Sequence, residues 1–190
     1  MNVPPEMIAK LDRVLTSLEQ LLPKPVAEVD WENCPAANWR RHSFSGYLEP
    51  IPSVGDTDLD HLLGIDEQKR IVEENTRQFI AGYPANNVLL WGTRGTGKSS
   101  LVRAILNRYA EQGLRIIQVD KNDLIYLPDI FAVIKDSRFR FILLCDDLSF
   151  DSDDSTYKSL KTVLDGGLEG RPANVIFYAT SNRRHLRPAI

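Results

Sequence analysis

One octapeptide constrains this 190-residue chain more than any other feature. Gly92-Thr93-Arg94-Gly95-Thr96-Gly97-Lys98-Ser99 fits G-x-x-x-x-G-K-[ST] at every fixed position. The apolar run Val88 to Trp91 precedes it, and helical periodicity from Ser99 to Gln112 follows, with Gly113 as a stop signal. A glycine-rich turn between a strand and a helix N-terminus lets successive backbone N–H groups converge on an anion without Cβ obstruction. The helix end adds its own partial positive charge. The segment from Gly92 to Ser100 is therefore a candidate phosphate cradle for ATP. Lys98 is expected to reach the outer phosphates, and the Ser99 hydroxyl to coordinate Mg2+. The plain alternative is a glycine-rich turn carrying an exposed lysine.

The rest of the chain supplies the alternation such a loop requires. A helix is expected over 66–81, stopped by Gly82 and Pro84. A strand is expected at 115–119, and a helix around 122–136 with Pro128 as a break or kink. Residues 139–145 are almost fully apolar, which predicts a strand buried on both faces. A helix over about 154–165 and a strand at 175–179 complete the series. Strands alternating with helices predict an α/β fold with a parallel sheet and right-handed crossovers.

In open α/β sheets, ligands lie beyond the carboxyl ends of the strands. There the 139–145 run ends in Asp146-Asp147. Asp146 is the candidate second anchor for Mg2+, and Asp147 the candidate general base for an attacking water. A strand ending in a merely solvated acidic loop is the bland reading, since Asp151, Asp153 and Asp154 follow. The strand at 175–179 ends in Ala179-Thr180-Ser181-Asn182. A polar side chain there could orient the same water, and Asn182 is preferred over Thr180, with a turn cap as the alternative.

Two motif-poor segments precede this core. Ile8, Leu11, Leu15, Leu18 and Leu22 are spaced 3-4-3-4, which predicts an amphipathic helix over 5–22 ended by Pro23 and Pro25. It is expected to dock on its own domain. From Pro23 to about Thr57 the sequence reads as irregular, yet Trp31, Trp39, Phe44 and Tyr47 suggest an ordered arm packed along the main domain. The organisation expected is a helix and arm over 1–56 and a core over 57–190. With 43% hydrophobic residues and a formal charge of -3, the chain can bury a core and has no global attraction to nucleic acid or an anionic membrane. Two cysteines make no disulfide framework, and no apolar run is long enough to cross a bilayer. A cytoplasmic protein is expected.

Glycine-rich loop, acidic strand end and polar strand end, in this order and spacing, resemble the AAA+ ATPases: Walker A at 92–99, Walker B at 141–147 and sensor 1 near Asn182. Five segments narrow the resemblance: Leu62-Leu63-Gly64-Ile65-Asp66, Asn75-Thr76-Arg77-Gln78-Phe79, Leu90 through Leu101, Cys145 through Phe150, and Tyr178 through Leu186. They are similar to a bacterial family of predicted AAA+ ATPases known as DUF815, from about residue 39 onward. In that family an aspartate pair replaces the usual Asp-Glu. The resemblance implies that Gly64 and Ile65 lie by the adenine, with ordinary core packing the alternative for Ile65. It also implies a homo-oligomer with a site at each subunit interface. AAA+ cores have five parallel strands, the loop-bearing strand lying between the fourth and fifth, followed by a helical lid. The chain ends shortly after Asn182, so it looks like a fragment without fifth strand or lid, its loop-bearing strand at a sheet edge. Arg183, Arg184 and Arg187 lie too close to Asn182 to be assigned as the arginine finger. The 190 residues are therefore expected to bind Mg-ATP in weakened form and to turn it over at or near background.

The function expected is an ATP hydrolase that changes its own conformation or remodels a protein partner the sequence does not name. A nucleotide-binding switch or adaptor with negligible hydrolysis is the alternative. A small-molecule kinase is a weaker one, and a GTPase weaker still, for 121–123 read Lys-Asn-Asp where N-K-x-D would be needed. Trp39-Arg40-Arg41-His42 with Phe44 and Tyr47 mixes aromatic and basic residues as a strand-stacking surface does, or as the anchor of an arm does. Nucleic acid is thus a partner the sequence allows without indicating, and a membrane is not expected.

Overall fold

The computed structural model describes residues 4–21, 28–42, 45–148 and 170–182. The helix expected over 154–165, Phe44, the aspartates at 151, 153 and 154, and the arginines at 183, 184 and 187 lie outside them. In chain order the elements are α1 (Pro5–Leu21), β1 (Ala36–His42), β2 (Ser45–Ile51), α2 (Asp66–Ile80), β3 (Val88–Trp91), α3 (Lys98–Tyr109), β4 (Leu114–Gln118), α4 (Leu127–Ile134), β5 (Arg140–Cys145) and β6 (Val175–Ser181). The six strands form one sheet in the order β2-β1-β4-β5-β6-β3. Every pairing is parallel except β1 with β2.

The sheet separates two hydrophobic cores, and the side-chain alternation of its central strands explains both. Phe141, Leu143 and Cys145 of β5, with Val175, Phe177 and Ala179 of β6, face α4 residues Leu127, Ile130 and Ile134. The intervening Ile142, Leu144, Ile176 and Tyr178 face Val72 and Phe79 of α2 and Leu101 and Ile105 of α3. A parallel strand covered by helices on both sides must be apolar at every position, and β6 is buried along all seven residues. On the second face the Tyr178 hydroxyl pairs with Thr76 Oγ1 at 2.7 Å and accepts from Asn75 Nδ2 at 3.1 Å. Asn75 also exchanges two 2.9 Å bonds with the backbone of Asn86, tying α2 to the turn that leads into β3.

Three expectations are corrected by the fold. The stretch read as irregular between Pro23 and Thr57 contains the antiparallel pair β1–β2, with Trp39 opposite Leu48, and β1 extends the parallel sheet through Ala36 to Asn38 beside β4. Its strand signal is weak because Ala36 and Ala37 are small; they are buried nonetheless, one in each core. The helix expected around 122–136 is two elements: a 3-10 segment Lys121–Tyr126, capped by Asp120, and then α4. Pro128 sits in the first turn of α4, the place where a missing N–H costs nothing. The described part of the apolar stripe of α1 does not dock: Ile8, Leu11 and Leu15, with Met7 and Val14 beside them, are each about half exposed. The Leu18 side chain, Leu22, Pro23 and Pro25 lie outside what is described. Both faces of the sheet are already covered by other elements, which leaves the stripe no partner among the described residues.

The arm is nevertheless locked to the sheet. Trp39 is 4% exposed and its indole lies across Gly46, where an added Cβ would come within 1.9 Å of the ring. Trp39 therefore offers no stacking face to solvent, while Arg40 pairs with Glu49 at 2.8 Å and Arg41 with Asp123 at 2.6 Å. Gly46→Val forces the indole out of its place, and we expect a loss on the order of 1–3 kcal/mol in chemical denaturation. An unchanged denaturation midpoint would rule out this packing of Trp39.

Candidate functional site

β3 ends at Trp91, and the chain turns at Gly92, whose N–H donates to the Ser181 carbonyl at 3.1 Å. The base of the loop is thereby fastened to the end of β6. Gly95 and Gly97 both have φ of 81°, in the left-handed region that a glycine enters without steric cost. A Cβ on Gly95 would meet no atom within 4 Å, so the space beside it is open. Thr96 Oγ1 donates to the Thr93 carbonyl at 2.9 Å and closes the turn. Lys98, the first residue of α3, folds its ammonium back onto the loop, donating to the carbonyls of Gly92 at 3.0 Å and Thr93 at 2.9 Å. No side chain caps the helix at Gly97, which leaves the N–H groups of its first turn for an anion. Burial of Leu101 and Ile105 one and two turns on anchors α3 beneath the loop, each adding about 1.5–3 kcal/mol.

The carboxyl ends of β5 and β6 meet the loop from the side. Ser99 Oγ donates to Asp146 Oδ1 at 2.8 Å, joining the loop to the end of β5. Thr180 Oγ1 donates to the same oxygen. Asp147 has φ of 57°, a left-handed conformation that aspartate tolerates better than most residues. It is held there by two contacts with β6: its N–H donates to Thr180 Oγ1 at 3.0 Å, and the next N–H, of Leu148, donates to the Thr180 carbonyl at 2.7 Å. Asn182 Nδ2 donates to Asp147 Oδ1 at 2.7 Å. A chain of hydrogen bonds thus runs from Ser99 through Asp146, Thr180 and Asp147 to Asn182. Behind it, burial pushes the Cys145 thiol up to about 12, so it adds no charge to the site near neutral pH.

Two cavities meet at the loop. One, of about 320 Å³, is polar and is lined by Arg94 through Ser100 together with Asp146, Asp147, Thr180 and Asn182. The other, of about 600 Å³, is walled by Ile65, Leu89, Leu90, Trp91 and Leu101, and shares Thr96, Gly97 and Lys98 with the first. Gly92 and Thr93 lie on this second wall. The structure thus gathers the loop residues, both aspartates and Asn182 around one space and brings Ile65 to the neighbouring one. Gly64, in a left-handed conformation one residue earlier, lines neither.

Three wall or bridge residues carried little or no weight in the sequence. Thr180 ranked behind Asn182, although it is the residue that touches both aspartates. Gln68 follows Ile65 by three positions, one helical turn away, and that spacing could have flagged it. Trp91 is 60% exposed, unusual for the last residue of a strand that opens onto a site. β3 pairs only with β6 among the described residues, so its other edge is open there, as expected for the loop-bearing strand.

The fold and loop define a P-loop nucleotide-binding fold, with the loop-bearing strand β3 beside β6, as expected from the AAA+ resemblance. The sequence profile of the family described as "Protein of unknown function (DUF815)" matches residues 32–189, and the chain belongs to that family. No curated protein matches it. Among solved structures it is similar to the RuvB Holliday junction branch migration motor of Thermotoga maritima, at 21% identity over 67% of this chain and 41% of that one, with a TM-score of 0.46. It is similar as well to AMPPCP-bound DnaA from Aquifex aeolicus, at 20% identity over 67% of this chain and 42% of that one, with a TM-score of 0.44. The chain spans about two fifths of the length of these solved chains.

Proposed function

We propose that this chain binds ATP together with Mg2+ in the two joined cavities and is the hydrolytic core of an AAA+ ATPase. The observation that carries the reading is the 2.8 Å bond from Ser99 to Asp146. It puts a hydroxyl of the glycine-rich loop and a carboxylate of a second strand against each other on the wall of a cavity sized for phosphates. Hard oxygen donors of this kind suit Mg2+, which takes one or two protein ligands and keeps several waters. When bound, the metal would neutralise charge on the outer phosphates.

The residues divide the remaining work by their chemistry. Backbone N–H groups between Arg94 and Ser100 and the Lys98 ammonium receive the phosphates, Arg94 adds positive charge to the same wall, and Ile65 supports the adenine from the apolar side. Asp147 accepts a proton from the attacking water, and Asn182, bonded to one of its oxygens, orients it. Every one of these side chains belongs to the proposed core over 57–190, while the arm within 1–56 contributes β1 and β2 at the far edge of the sheet. The protein acts as a homo-oligomer in the cytoplasm, where its ATP cycle drives remodelling of a protein partner. Both described cysteines are free and buried, which agrees with a reducing compartment. No helix among the described residues is long and apolar enough to cross a membrane.

The reading is tested at Asp146. Asp146→Ala should weaken ATP binding on the order of tenfold or more with Mg2+ present, and little in EDTA, because a support of the metal is lost. Equal loss under both conditions in calorimetry would show that Asp146 serves the loop rather than the metal.

A further inference from the structure

We propose that Thr180 is the positioning residue that sets the geometry of both aspartates, an inference that rests on the nucleotide site just proposed. Thr180 is 2% exposed, and its hydroxyl gives its one proton and one of its two lone pairs to the two carboxylate residues. Its proton goes to Asp146 Oδ1, and a lone pair takes the N–H of Asp147 at 3.0 Å. Asp146 Oδ1 therefore accepts two hydroxyl hydrogens, from Ser99 and from Thr180, which fixes the carboxylate plane and leaves Oδ2 clear of both. The second bond holds the backbone of Asp147 at a φ of 57°, the single non-glycine residue with positive φ among the described residues. One hydroxyl so couples the support of the metal to the aim of the base. A chain that merely needed a buried side chain at this point of β6 could use valine, which has the same shape and no hydrogen-bonding atom.

That comparison is the experiment. Wild type, Thr180→Val and Thr180→Ser are titrated by calorimetry with the non-hydrolysable analogue AMP-PNP, once with Mg2+ and once in EDTA. Thr180→Val should keep the affinity measured in EDTA and lose about ten- to hundredfold of that measured with Mg2+, the range for removing a partner that orients a metal-binding carboxylate. Thr180→Ser, which keeps the hydroxyl and loses only a methyl group, should restore the Mg2+ effect. A purely structural role would instead lower the melting temperature and leave the ratio of the two affinities unchanged. If Thr180→Val does not fold, Thr180→Ala removes the same two bonds and carries the same expectation. Thr180→Val matching wild type with Mg2+, or Thr180→Ser sharing the loss, overturns the proposal while the nucleotide site stands. Failure of wild type to bind AMP-PNP under either condition overturns the site and this inference together.

Discussion

Asp147→Asn is expected to bind Mg-ATP as wild type does and to hydrolyse it about a hundredfold or more slowly in the full-length protein, the span of a lost general base. The substitution changes no volume, and the backbone contacts that hold residue 147, through Thr180 Oγ1 and the Thr180 carbonyl, do not involve its side chain. Binding should therefore survive. What disappears is the ability to take a proton: a carboxylate accepts one, an amide does not. Asn182 donates to Oδ1, which leaves Oδ2 as the oxygen free of that contact. Aspartate is one methylene shorter than glutamate, and here it stands on a left-handed backbone with φ of 57°. Single-turnover hydrolysis at saturating ATP separates the two steps. Wild-type rates in Asp147→Asn would remove residue 147 from the chemistry and turn attention to Asn182 itself. A wild-type protein that binds but scarcely hydrolyses would favour the switch or adaptor reading.

Lys98→Ala is expected to lower ATP affinity by about tenfold or more, at least 1.4 kcal/mol. Its ammonium bonds to two loop carbonyls, those of Gly92 and Thr93, and this places a positive charge beside the cavity walled by the loop. Removing it takes away the one side-chain charge that the first turn of α3 itself delivers to the loop, while leaving Gly95 and Gly97 free to keep their left-handed turns. Affinity should fall both with and without Mg2+, in contrast to the metal-dependent loss expected at Asp146. Calorimetry giving equal affinities for wild type and Lys98→Ala would sink the assignment of the loop.

These residues differ in how far the sequence alone exposed them. The shape of the loop from Gly92 to Ser99 was legible because it is written in contiguous backbone: glycines at fixed spacing, a strand before, a helix after. Asp146 and Asp147 were legible for a related reason, since an apolar strand that ends in two carboxylates announces both its burial and its rim. The α/β class and the parallel sheet followed from the order of such elements. Periodicity in α1 correctly foretold a helix, but periodicity measures only which face is apolar, not whether anything covers it, and the described stripe residues Ile8, Leu11 and Leu15 are half exposed.

What the tertiary structure decided was pairing between residues far apart in the chain. β1 is a strand because β4 offers it hydrogen bonds and Gly46 makes room for Trp39, and neither condition can be seen in the local run of alanines and asparagine. Thr180 is a hinge of the site because its hydroxyl reaches two residues more than thirty positions away, whereas its sequence neighbour Asn182 looked the better candidate. Local chemistry can be read along a chain, because a turn or a helix end is made of consecutive atoms. A hydrogen bond between strand ends depends on register, and register is fixed only when the whole sheet closes around its core.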